Sequence, residues 1–130
     1  NWERSDTYGA GSLGTGMTES SGIFTFPSTG IWRVQFTSSF RCTSENRYSV
    51  VYIKTTSDNS AYNIVSRSRA NQATSSDTYG SATTSFLFDV TNTSTHKVSF
   101  RITNWASSTI TEGNTNSNET HCSFLKLGET

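Results

Sequence analysis

An all-β fold of two packed antiparallel sheets is what the sequence predicts, and three features predict it. Ser, Thr and Asn supply 55 of the 130 residues. Their side chains compete with the helical backbone for hydrogen bonds, and Thr is β-branched as well. Apolar residues recur with a period of two: Trp32, Val34, Phe36 and Phe40 share one parity, while Arg33, Gln35, Thr37, Ser39 and Arg41 take the other. That is the pattern of a half-buried strand. Turn-rich stretches interrupt the apolar runs about every 10 to 15 residues, as the strands of a sandwich require. Eight Phe, five Tyr and three Trp are suited to the core of such sheets.

Taken in order, strands are expected over Trp2–Thr7, Ile23–Phe26, Ile31–Cys42, Arg47–Thr56, Ala61–Ser68, Thr84–Val90, Lys97–Asn104 and Cys122–Leu127. Gly22 and Gly30 bracket the short run Ile23-Phe24-Thr25-Phe26, and Pro27 removes a backbone donor where that run ends. Lys97–Thr103 alternates most cleanly, with Val98, Phe100 and Ile102 inward and Lys97, Ser99, Arg101 and Thr103 outward. Tyr48–Ile53 is apolar at both parities, which suggests a strand covered on both faces and hints at subunit contact. Gly9–Ser21, Ala70–Ala82 and Ala106–Thr120 read as loops, with a turn at Asp77-Thr-Tyr-Gly80. At 130 residues the chain forms one domain, residues 1–130. Asn1 opens the chain without a Met or a signal peptide, as expected of the C-terminal head of a longer protein.

The spacing Gly22-x-Phe24-x-x-Pro27-x-x-Gly30-Ile31-Trp32 resembles the signature of the complement C-one-q and tumour necrosis factor jelly-roll superfamily. The end of the chain, Phe124-Leu125-Lys126-Leu127-Gly128, is similar to that family's closing strand. More locally, Trp2-Glu-Arg-Ser-Asp6 and Gly14-Thr-Gly-Met-Thr-Glu-Ser20 resemble repeats in structural and tail-fibre proteins of marine bacteriophages. The superfamily resemblance covers nearly the whole chain and implies a jelly-roll sandwich that assembles as a homotrimer through one face of its inner sheet. That sheet would hold Ile31–Cys42, Thr84–Val90 and Cys122–Leu127, placing Ile31, Arg33 and Leu125 near the threefold axis. The resemblance also implies that the Trp32 strand and the last strand lie side by side and antiparallel, bringing Cys42 close to Cys122. A bridge there would close a long loop, worth about 4 to 5 kcal/mol in the chain-entropy model. The alternative is two reduced, buried thiols, as expected of a protein folding in a reducing bacterial cytoplasm.

Composition excludes several function classes. Ten basic and ten acidic residues cancel, with neither sign in a block, so a nucleic-acid-binding surface is not expected. Arg67-Ser-Arg69 is the nearest approach to a basic cluster and reads as the solvated face of a strand. No apolar run is long enough to insert in a membrane as a helix. Two Cys and two His without metal-ligand spacing make a zinc site improbable, and no cofactor or metal is expected. No nucleophile elbow or phosphate-cradling loop occurs, so an enzyme is not expected. His96 reads as a turn residue before a strand, and Asp89 as the outward residue of an apolar strand. Asn92-Thr-Ser94 and Asn118-Glu-Thr120 match the glycosylation acceptor pattern, at a frequency chance alone supplies here.

Three functions compete at this level. The first is a non-enzymatic trimeric head on a phage fibre or other virion appendage, at the virion surface, capping a shaft or binding a host-surface glycan or protein. The second is a secreted C-one-q-like ligand or pattern-recognition module, with an oxidised Cys42–Cys122 pair and occupied acceptor sites. The third is a monomeric carbohydrate-binding module in which Trp105, Tyr8 and Tyr79 contact the sugar.

Overall fold

The computed structural model describes residues 2–72 and 77–130. Nine strands run through the described residues: β1 Thr18–Ser20, β2 Ile23–Thr25, β3 Gly30–Cys42, β4 Tyr48–Thr56, β5 Asn63–Asn71, β6 Thr78–Val90, β7 Lys97–Asn104, β8 Thr109–Glu112 and β9 His121–Gly128. They form two antiparallel sheets. Sheet A has the order β1-β2-β7-β4-β5, and in sheet B β3 is flanked by β6 on one side and by β8 and β9 on the other. This is a jelly-roll sandwich, as the sequence predicts.

β3 explains most of the architecture. Its inward residues Trp32, Val34, Phe36, Ser38, Phe40 and Cys42 are all buried, whereas none of its outward residues is. Every β3 residue from Gly30 to Cys42 has a partner on β6. On its other edge, residues 31–37 pair with β9 and residues 39–42 with β8. Where the chain passes from one partner to the other, a side chain takes over from backbone pairing. Thr120 Oγ1 accepts the Ser39 amide (3.2 Å) and shares a hydrogen bond with the buried Ser38 hydroxyl (3.0 Å). The buried polar groups at the changeover are therefore satisfied.

Two corners set the chain onto this path. Ser21 and Gly22 both have positive φ (54° and 79°), and Ser20 pairs with Ile23. A two-residue loop with both residues left-handed is the hairpin turn that matches the twist of the strands it joins. At Gly30 (φ 135°) the constraint is close approach: a Cβ there would lie 2.5 Å from the Gly128 carbonyl oxygen. Only glycine lets β9 end beside β3, and a register shift between Ile31 and Trp32 absorbs the crowding.

Aromatic rings fill the space between the sheets. Phe24 and Phe100 from sheet A meet Phe36 and Phe124 from sheet B, with centroid separations of 4.7 to 6.0 Å. Phe26, Trp32 and Phe88 make a second group. At one end of β4 the buried side chains of Asn46, Ser49 and Gln72 hydrogen-bond to one another, and Asn46 also accepts the Ala106 amide (3.2 Å). One polar cluster thereby ties the β3–β4, β5–β6 and β7–β8 connections together.

The structure departs from the sequence reading in four places. Trp2–Thr7 is not a strand; its indole instead packs across the sandwich mouth against Phe24, Phe36 and Phe100. β1 lies inside the expected Gly9–Ser21 loop and β8 inside the expected Ala106–Thr120 loop. β6 begins at Thr78 rather than Thr84, and β5 continues to Asn71, so the expected Ala70–Ala82 loop shrinks; its residues 73–76 lie outside the described residues. Each missed strand is polar, and pairing rather than burial holds it in place. β4 fits its expectation in part: Val50 is buried although its parity faces outward.

The cysteine pairing must also be corrected. β3 and β9 are antiparallel neighbours, but Cys122 lies opposite Phe36, while Cys42 lies opposite Thr78 and Thr109. Six residues of β3 separate the two levels, about 20 Å at the rise of a strand. Both thiols are free. The pairing presumed that the two strands run the same length, whereas the end of β3 is occupied by β8. Cys42 is buried and its thiol donates to the Ser44 carbonyl. Burial pushes the Cys122 thiol up to about 12.

Two outcomes follow. Phe36→Ala removes a ring packed against Trp2 and Phe100, and is expected to cost about 3 to 5 kcal/mol in denaturant unfolding. A raised pKa keeps Cys122 as the unreactive thiol throughout the neutral range, and Cys42 is sealed sterically. Iodoacetamide at neutral pH should therefore leave both unmodified in the folded protein and label both in denaturant, with or without prior reduction.

Candidate functional site

The outward face of sheet B is graded along β3. At the Gly30 end, register places Leu87 of β6, Arg33 of β3 and Leu125 of β9 in one row. Leu87, Leu125 and the neighbouring Leu127 are 58, 52 and 55% exposed, and Ile31 is half-buried beside them. Mid-strand the face turns small and polar, with rows Ser85–Gln35–Ser123 and Thr83–Thr37–His121. Thr37 and Thr83 share a 2.9 Å hydrogen bond. At the Cys42 end it is charged: Arg41 Nε donates to Glu112 (2.8 Å), and its Nη1 stands 3.5 Å from Asp77. An open hollow of about 690 Å³ lies there, lined by Ser39, Arg41, Tyr79, Ser81, Glu112 and Glu119.

The structure thus brings Ile31, Arg33 and Leu125 together on one solvent-facing patch. Sequence reasoning did not nominate Leu87 or Leu127 for it. The signal was present for Leu87: within Thr84–Val90, Phe86 and Phe88 take the inward parity, so Leu87 is an apolar residue on the wet side. Three exposed leucines on adjoining strands around one arginine are more than isolated surface apolar residues. Arg33 donates to Gln35 (3.1 Å), and among the described residues neither Arg33 nor the nearby outward Asp89 makes an ion pair.

The three residues nominated for ligand contact lie on three different segments of the fold. Tyr79 lies on β6 at the hollow beside Arg41. Tyr8 is exposed in the N-terminal segment, at a turn closed by the Ala10 amide on the Thr7 carbonyl. Trp105 follows β7 on sheet A. Its ring lies 5.7 Å from that of Tyr48, and the Arg47 guanidinium sits 5.2 Å from its centroid. Asp-Thr-Tyr-Gly occurs twice with different outcomes: Tyr8 has a positive φ, whereas Tyr79 is in a strand.

His96 closes the β6–β7 turn, stacks on Phe88 at 5.5 Å, and meets the Thr91 and Thr95 hydroxyls. No group of three His, Cys, Asp or Glu residues that could hold a metal ion occurs among the described residues. No helix there is long and apolar enough to cross a membrane.

No family model and no curated protein matches this chain. Its fold is nevertheless similar to a solved structure, that of murine APRIL at pH 5.0, with a TM-score of 0.62 and 17% identity. The similarity covers 88% of this chain and 80% of that one. With the two antiparallel sheets described above, it establishes a tumour necrosis factor-like jelly roll.

Proposed function

We propose that this domain is a non-enzymatic, homotrimeric head that serves structural capping and surface recognition at the tip of a phage fibre or similar virion appendage. The observation that carries the assembly is the uncovered row Leu87–Arg33–Leu125 with Leu127 beside it, on the outer face of sheet B. In a monomer these side chains stay in water. Self-association removes them from it, at roughly 25 cal/mol for each Å² of apolar surface buried. Arg33 and Asp89 add polarity of both signs to the same patch. A cyclic contact lets Arg33 of one subunit meet Asp89 of the next, which an apolar patch alone could not orient.

A fibre-tip role is supported by the phage-like character of Trp2–Asp6 and Gly14–Ser20 and by the use a trimer has there. Three weak contacts made together gain avidity through effective concentration. The Cys42–Cys122 bridge expected of a secreted ligand loses its support, because the strand register holds those sulfurs apart.

Light scattering on the purified domain at micromolar concentration should give about three times the 14.3 kDa chain mass. Leu87→Asp with Leu125→Asp places carboxylates in the patch. It should give a folded monomer with an unchanged circular dichroism spectrum. A wild-type domain of single-chain mass would refute the assembly.

A further inference from the structure

Charge is spread unevenly over this neutral chain. β4, β5 and β7, adjacent in sheet A, contain Lys54, Arg67, Arg69, Lys97 and Arg101, half of the chain's cations, and no carboxylate. Register arranges the outward ones in rows. Arg67 and Arg101 lie on either side of Tyr52, and Arg69 and Thr103 on either side of Val50. Asn71 lies beside Tyr48 in the next row, where Arg47 and Trp105 complete the edge. Arg47, Arg67, Arg69 and Arg101 are exposed, and among the described residues none makes an ion pair.

Arg67 and Arg69 stand about 7 Å apart along one strand, and Arg101 about 10 Å across from Arg67. Cations so spaced repel one another, and no anion on β4, β5 or β7 compensates; Glu19, on the far strand β1, accepts the Gly22 amide. The acid of the neighbouring β4–β5 turn is engaged elsewhere. Asp58 accepts the Thr56 hydroxyl (2.7 Å) and the Ser60 and Ala61 amides (2.9 Å each), which hold its carboxyl below the usual range.

We infer that this arginine face of sheet A binds an acidic polysaccharide, a chain of sugar rings bearing sulfate or carboxylate groups. The guanidinium fork matches such anions in a way a lysine ammonium does not. Asn71 stands beside the arginines as a partner for sugar hydroxyls, and Thr103, whose hydroxyl donates to the Tyr52 hydroxyl (3.2 Å), keeps a lone pair to accept from one. A nucleic acid fits the face less well. Single strands are held by bases stacked on open aromatic faces, but the Trp105 ring already carries the Arg47 guanidinium and packs against Tyr48. The inference gives the recognition role a ligand class. It rests on that reading but not on the trimer, since the patch for self-association lies on the opposite sheet.

Dextran sulfate is the probe, with uncharged dextran and an oligo-dT strand of similar charge for comparison, titrated calorimetrically at about 50 mM salt, where phosphate and sulfate contacts are strong. Dextran sulfate should bind, dextran should not, and oligo-dT should bind at least about tenfold more weakly. Arg67→Ser with Arg101→Ser should lower dextran sulfate affinity by about tenfold or more and flatten its salt dependence. Arg4→Ser, in the N-terminal segment, should leave it unchanged. The same ranking should hold in the Leu87→Asp, Leu125→Asp variant, which separates this inference from the assembly. Absence of binding, equal loss in the Arg4 variant, or oligo-dT bound as tightly as dextran sulfate would each overturn it.

Discussion

Pairing along both edges of β3 is the constraint on which the rest of this domain depends. A strand of thirteen residues with a full-length partner on one side and two shorter partners on the other has almost no freedom in register. A slip of one residue would turn Trp32, Val34, Phe36 and Phe40 into solvent and bring Arg33 and Arg41 into the core. The alternation of this one strand therefore fixes which side of sheet B faces sheet A. It also fixes which side of β6 and β9 faces outward, and hence where Leu87 and Leu125 appear. The exposed row is a consequence of core packing on the opposite face of the same sheet.

The two outer faces have opposite characters. Sheet B carries leucines around one arginine, grading through hydroxyls to the Arg41–Glu112–Asp77 cluster, where charges are already matched within the chain. Across β4, β5 and β7, sheet A carries arginines and aromatics with no carboxylate. A face that is apolar and internally balanced suits a second copy of the same chain, and a face with one sign of charge suits an anion. A trimer joined through sheet B would leave three copies of the arginine face directed outward, where a long anionic chain could engage more than one.

Much of this was legible in the sequence, for reasons that differ by element. Alternation identified β3, β7 and the core rings, because burial on one face leaves a period-two record in side-chain polarity. The Gly22–Gly30 segment located the corners, since both glycines meet backbone conditions that a side chain would not tolerate. β1 and β8 were illegible. Thr18-Glu-Ser20 and Thr109-Ile-Thr-Glu112 are short and mostly exposed; β1 is a strand because of its hairpin with β2, and β8 because of a partner far away in the chain. The same blindness produced the cysteine error. That β3 and β9 are neighbours could be anticipated, but their offset depends on β8 occupying the far end of β3. The arginine face was half visible: Arg67 and Arg69 are two residues apart in sequence, but Arg101 joins them only because β4 lies between β5 and β7.

The offset of β9 along β3 is the most exposed point of this account, because both the leucine row and the separation of the thiols follow from it. Cross-strand backbone nuclear Overhauser effects in isotope-labelled protein measure it directly. Contacts should join Gln35 to Ser123 and Phe36 to Cys122, with Cys42 instead in contact with Thr78 and Thr109. A contact between Cys42 and Cys122, or a β9 shifted by even one residue, would contradict it.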